Sequence, residues 1–133
     1  GKRVTWLQEV CDELQLKRVA CVHARAEEFA MQHREQFDIA TSRAVAQLSI
    51  LSELCLPLIK VGGQFIAMKS VDTEDEIDAA KSAIKTLGGH IVKVEDYTIP
   101  TSDVVHRLVI VEKVSPTPRA YPRAFAKIKK APL

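Results

Sequence analysis

Gln64-Phe65-Ile66-Ala67-Met68-Lys69, then Asp72 to Leu87, then Gly88-Gly89, then Ile91 to Ile99: this succession decides the fold. The first six residues form a short apolar run with a β-branched residue and an aromatic, which reads as a strand. From Asp72 the apolar spacing changes. Ile77, Ala80, Ile84 and Leu87 recur every three or four residues and give the buried face of a helix. Thr73 with Glu76 has the capping-box pattern at its start, and Gly88-Gly89 ends it. Ile91–Ile99 and Arg107–Lys113 read as two strands. Pro100-Thr101-Ser102-Asp103 between them marks a turn, so they should pair antiparallel.

Working back toward the amino terminus, Leu48, Leu51, Leu54 and Cys55 give a helical stripe, stopped near Pro57 and Gly62-Gly63. Phe37-Asp38-Ile39-Ala40-Thr41 reads as a strand that ends in the polar corner Ser42-Arg43. Val19-Ala20-Cys21-Val22 has the composition of a short buried strand. Val4, Leu7, Val10, Cys11 and Leu14 line one side of an opening helix. Helices and strands alternate, then a hairpin follows. Such alternation implies parallel strands with right-handed crossovers, hence a doubly wound, mostly parallel α/β sheet with an antiparallel terminal hairpin.

A chain of 133 residues with 47% apolar residues is enough for one compact domain. No apolar run approaches the ~20 residues that span a bilayer, and the first residues are not a signal peptide. Cys11, Cys21 and Cys55 lack metal-ligand spacing, as do His23, His33, His90 and His106. No metal is expected, and the cysteine usage fits a reducing cytoplasm. The net charge of +2 is unevenly spread. Residues 115–133 hold Arg119, Arg123, Lys127, Lys129 and Lys130 with no acidic residue, so the first 114 residues carry −3. The division is therefore a domain over 1–114 and a basic arm over 115–133. Pro116, Pro118 and Pro122 favour an extended arm that projects its cations, a layout suited to phosphates.

Four strings in register carry a resemblance. They are Arg25-Ala26-Glu27; Thr41-Ser42-Arg43-Ala44; Leu51 to Leu58 through Gly62-Gly63 to Ala67-Met68-Lys69; and Pro116-Thr117-Pro118-Arg119-Ala120-Tyr121-Pro122-Arg123. Together they resemble the ribosomal RNA small subunit methyltransferase G family, also called glucose-inhibited division protein B, over essentially the whole chain. The resemblance implies a Rossmann-like class I methyltransferase sheet with strand order 3-2-1-4-5-7-6. It also implies S-adenosylmethionine (AdoMet) as cofactor and N7 of a guanine in 16S ribosomal RNA, or the small ribosomal subunit, as target. In that order Val19–Val22 is the third strand, and the first two, with the Gly-rich cofactor turn, are missing. The five glycines, Gly1, Gly62, Gly63, Gly88 and Gly89, form no such turn. Ala126 and Ile128 stand where the family pattern has Gly and Pro.

The resemblance assigns Ala26 and Glu27 to the adenine end of AdoMet, and Arg43 to its carboxylate or a phosphate, all three at one rim of the sheet. A guanidinium fork suits either anion. Lys69, at the same edge, and Arg119, Arg123, Lys127, Lys129 and Lys130 are candidate RNA contacts. Asp38 lies at the opposite end and is expected to cap a turn. Trp6 and Tyr97 could stack on a base, but nothing in the sequence places them at the rim. Guanine N7 has an exposed lone pair and no proton to remove, so no general base is required and no catalytic residue stands out. A non-catalytic RNA- or ribosome-binding module is the alternative, and a methyltransferase for small molecules a third reading that the basic arm argues against.

Overall fold

A computed structural model describes residues 2–43 and 46–133 of the chain. The elements in order are α1 (Lys2–Glu13), α2 (Ala26–Gln32), β1 (Phe37–Arg43), α3 (Leu48–Cys55), a 3-10 turn (Leu56–Leu58), β2 (Ile59–Ser70), α4 (Glu74–Thr86), β3 (Gly89–Thr98), β4 (Val105–Lys113) and α5 (Phe125–Lys130). The strands form one sheet in the order β1-β2-β4-β3. β1 and β2 run parallel, and β4 is antiparallel to both β2 and β3. This is the expected α/β sheet with its terminal hairpin, and its order matches the 4-5-7-6 part of the anticipated series.

Cross-strand register explains the two faces. Phe65 pairs with Val111 and Ala67 with Val109, and all four side chains are fully buried. They meet Leu48 and Leu51 of α3 and Ile77, Ala80 and Ile84 of α4 in one core, so both helices cover the same face. The opposite face carries Arg43, Met68, Ser70, His106 and Tyr97 in adjacent register positions.

Several local expectations are corrected. Val19–Val22 is not a strand: the segment is irregular and Val22 remains 56% exposed. Four residues with no neighbouring strand to share a hydrogen-bond ladder gain nothing by extending. The stripe of α1 is largely uncovered for the same lack of a partner. Of its members only Cys11 is buried, while Leu7 and Leu14 are exposed, as is neighbouring Trp6.

Gly62 and Gly63 do not sit at a helix end. They lie inside β2, which starts directly after the 3-10 turn. Gly62 takes a φ of +94°, and a Cβ on Gly63 would collide with the backbone oxygen of Asp38, where the β1–β2 register shifts. Gly88 does end α4 as expected, at φ +92°, with the Ser115 carbonyl where a Cβ would stand. The capping box at α4 does not form. Thr73 Oγ1 donates to the Ser70 carbonyl at 2.8 Å, and Glu76 turns to Lys69 instead. Asp38 caps no turn but pairs with Lys60 across the strands.

The 115–133 segment is not a projecting arm. Ile128 is fully buried, and Tyr121 and Leu133 pack against the core. Thr117 Oγ1 donates to the Leu87 carbonyl at 2.6 Å, and its backbone N–H donates to Glu35 at 3.2 Å. Arg34 donates to the carbonyls of Tyr121 (2.6 Å), Thr117 (2.7 Å) and Pro118 (2.9 Å). Proline removes backbone donors, but it leaves carbonyls free, and Arg34 uses three of them to lay the segment down.

Candidate functional site

Parallel strands of an open α/β sheet place their ligands beyond their carboxyl ends. That edge of β1 and β2 opens on a cleft of about 940 Å³, lined by Arg43, Met68, Lys69, Asp72, Tyr97 and His106 among others. Arg43 is the last residue of β1, opposite Met68, and its side chain is exposed with no ion pair among the described residues. Ala44, which completes the Thr41–Ala44 string, lies outside the described residues. Beside Arg43 in β1, the Ser42 hydroxyl is buried with no hydrogen-bond partner among the described residues.

Lys69 belongs to the floor of this rim. Its side chain is only 6% exposed, donates to the Ala46 carbonyl at 2.8 Å and pairs with Glu76 at 2.9 Å. The lysine therefore ties the β1–α3 connection to the first turn of α4, and its charge is already matched. A second cluster braces the hairpin. Arg107 donates to both carboxylate oxygens of Asp96, at 2.7 and 3.1 Å, and reaches Glu74 of α4 at 3.0 Å. The guanidinium holds the Asp96 carboxyl below its usual range. Glu74 is also lowered, first by the backbone N–H at its own position and then by Arg107.

Ala26 and Glu27 open α2. The backbone N–H groups of Glu35 and Gln36, just after α2, donate to the carbonyls of Pro57 and Leu58, where β2 begins. The end of α2 thus lies at the amino edge of the strands. Glu27 lines a different cleft, with Arg25, Met31, Arg123 and Phe125. The structure brings Arg43, Lys69 and Tyr97 together. It does not bring Ala26 and Glu27 into the cleft of Arg43.

The basic residues of the final segment divide in two. Arg123 turns inward, its guanidinium donating to Glu53 at 2.8 Å and its backbone N–H to the same carboxylate at 2.8 Å. Glu53 is 0% exposed, so this pairing balances a buried charge. Arg119, Lys127, Lys129 and Lys130 remain exposed. Glu53 and Lys113 were not singled out by sequence reasoning. Lys113 Nζ, fully buried, donates to the carbonyls of Leu56 at 2.7 Å and Ile59 at 2.9 Å. Burial pulls its pKa down to about 8. Burial likewise pushes the Cys55 thiol up to about 12, which makes it a packing residue and not a nucleophile.

Sequence reasoning names Tyr97 as a residue that could stack on a base, but misses its pairing with His106 and its place at the cleft. The two are cross-strand partners whose rings stack at 5.7 Å and 26°, and both line the cleft of Arg43.

The donor set suits AdoMet in kind. A carboxylate such as Glu27 can accept from ribose hydroxyls or an adenine amino group, and the unpaired Arg43 fork matches a carboxylate.

Comparisons with known proteins bear on this rim. The sequence model of the family described as "GidB: rRNA small subunit methyltransferase G" matches residues 1–105. A protein of Clostridium botulinum (strain ATCC 19397 / Type A) named ribosomal RNA small subunit methyltransferase G is 49% identical over 99% of this chain. One of the same name from Levilactobacillus brevis is 48% identical over 100% of it. The chain spans 56% of the length of each. Among solved structures, M. jannaschii TYW2 in complex with AdoMet superposes with a TM-score of 0.62 at 14% identity, covering 84% of this chain and 53% of that one. An rRNA methylase from Streptococcus thermophilus gives 0.57 at 15% identity, covering 81% and 65%. At such identities the superpositions speak for the fold alone. The sequence matches go further, because the family model covers residues 1–105 and the identity holds over nearly the whole chain: this chain belongs to the rRNA small subunit methyltransferase G family.

Proposed function

We propose that this chain forms the substrate-facing rim of an enzyme that transfers a methyl group from AdoMet to N7 of a guanine in 16S ribosomal RNA. The observation that carries the reading is the 49% identity spread over 99% of the chain, together with a cleft at the carboxyl ends of β1 and β2. An rRNA target places the protein in the cytoplasm.

Bound AdoMet supplies an electrophilic methyl on a sulfonium, so the protein need only align its partner. Arg43 would hold the carboxylate of AdoMet, and the family resemblance assigns Ala26 and Glu27, which stand outside the cleft of Arg43, to its adenosine end. Guanine N7 presents a lone pair without a proton, so no residue of this chain has to act as a general base. Alignment of the reacting atoms can supply a large part of such a rate enhancement. The Lys69–Glu76 pair and the Arg107 cluster then act by keeping the rim rigid. Of the basic residues expected at RNA, Arg119, Lys127, Lys129 and Lys130 are free to meet phosphate, whereas Lys69 and Arg123 already hold carboxylates.

The test joins this chain to the part of the Clostridium botulinum relative that it does not cover. The joined protein is supplied with AdoMet and small ribosomal subunits, and the digested 16S RNA is analysed by mass spectrometry. New 7-methylguanosine is expected. Its absence from a folded protein that binds AdoMet would overturn the reading. RNA binding with no AdoMet binding by the joined protein would point instead to a non-catalytic RNA-binding module.

A further inference from the structure

We infer that Tyr97 and His106 form the stacking platform for the nucleobase that enters the cleft, an inference that rests on the RNA-methylation reading above. The two rings are cross-strand partners at the turn end of the β3–β4 hairpin, stacked at 5.7 Å and 26°. Tyr97 is 37% exposed and lines the same cleft as Ile99 and Arg43. An aromatic pair with an apolar neighbour offers a face to any base.

The platform is held in place from both sides. Asp96 and Arg107, the next pair along the hairpin, are locked bidentately, and Arg107 also anchors to Glu74 of α4. Beyond the rings, the turn is closed by the Ile99 N–H donating to Val104 at 3.0 Å. A rigid ring pair loses little freedom when a base stacks on it. The family resemblance assigns the adenine of the cofactor to Ala26 and Glu27, and Glu27 lines the other cleft, so the ring site here is left for a second base.

A cross-strand aromatic pair could simply stabilise its hairpin, and the test separates the two roles. The joined protein described above is titrated into two labelled single-stranded RNAs of identical length, one with a central guanine and one abasic at that position. Anisotropy should show the guanine strand bound about tenfold more tightly. Tyr97→Ala should erase that gap while leaving the abasic affinity unchanged, and Tyr97→Phe should retain most of it. No gap in the unaltered protein, or a gap that survives Tyr97→Ala, would overturn the platform. Failure of the wider reading looks different: the gap behaves as expected yet no 7-methylguanosine forms. Methylation by Tyr97→Ala with an unchanged KM for RNA would sink the platform and leave the reading intact.

Discussion

Two buried ions set the behaviour of single residues here. Glu53 has no exposure and no matching cation besides Arg123 among the described residues, so Arg123→Ala strands a carboxylate in the core. Urea unfolding should show a loss of about 3 kcal/mol, although Arg123 is one of the cations that sequence alone assigns to RNA. Lys113 makes a pH prediction. Its pKa falls from the ordinary 10.5 to about 8 on folding. Between those values the unfolded chain keeps a proton that the folded one has released, so stability rises as pH climbs from about 8 toward 10.5. The rise should be on the order of 2 kcal/mol, read as the difference between the pH profiles of the unaltered chain and Lys113→Met. Parallel profiles would contradict it. Arg43 was legible because it ends a recognisable strand in a recognisable string. Glu53 was not, since a helical glutamate next to apolar positions gives no sign that a residue 70 positions later will cover it.

At the scale of elements, period and punctuation were enough for β1, α3, α4, the hairpin and the second half of β2, because each has neighbours that reward the local preference. They failed for Val19–Val22, where the composition is that of a strand and no strand lies alongside. Periodicity reports what a segment could bury, not whether a partner is present. The Tyr97–His106 pairing was within reach. Counting symmetrically outward from the turn Pro100–Asp103 sets 97 opposite 106, although nothing in that count shows that the pair faces a cleft. The final segment misled for a physical reason as well: its prolines favour extension, but Ile128 and the Arg34 contacts gain more by docking. Ile128→Ala should therefore lower stability by about 2 to 4 kcal/mol in chemical unfolding. A change within experimental error would mean that the segment does not pack as described.

For the molecule as a whole, the helices α3 and α4 cover one face of the sheet, while the cleft gathers at the edge where β1 and β2 end. Charge is distributed to match. Near the rim Glu76 pairs with Lys69 and Asp96 with Arg107, and the final segment adds four exposed cations, Arg119, Lys127, Lys129 and Lys130. Replacing Lys127, Lys129 and Lys130 by alanine in the joined protein should reduce the slope of log affinity for single-stranded RNA against log salt by about 2, with little effect on folding. An unchanged slope would remove α5 from the RNA surface. The most direct test of the central claim, that the end of β1 serves the cofactor, is calorimetric titration of AdoMet into the joined protein and its Arg43→Ala variant. The account predicts AdoMet binding that weakens about tenfold or more when the charge-assisted hydrogen bonds of Arg43 are lost. Equal affinity in a variant of unchanged stability would contradict it.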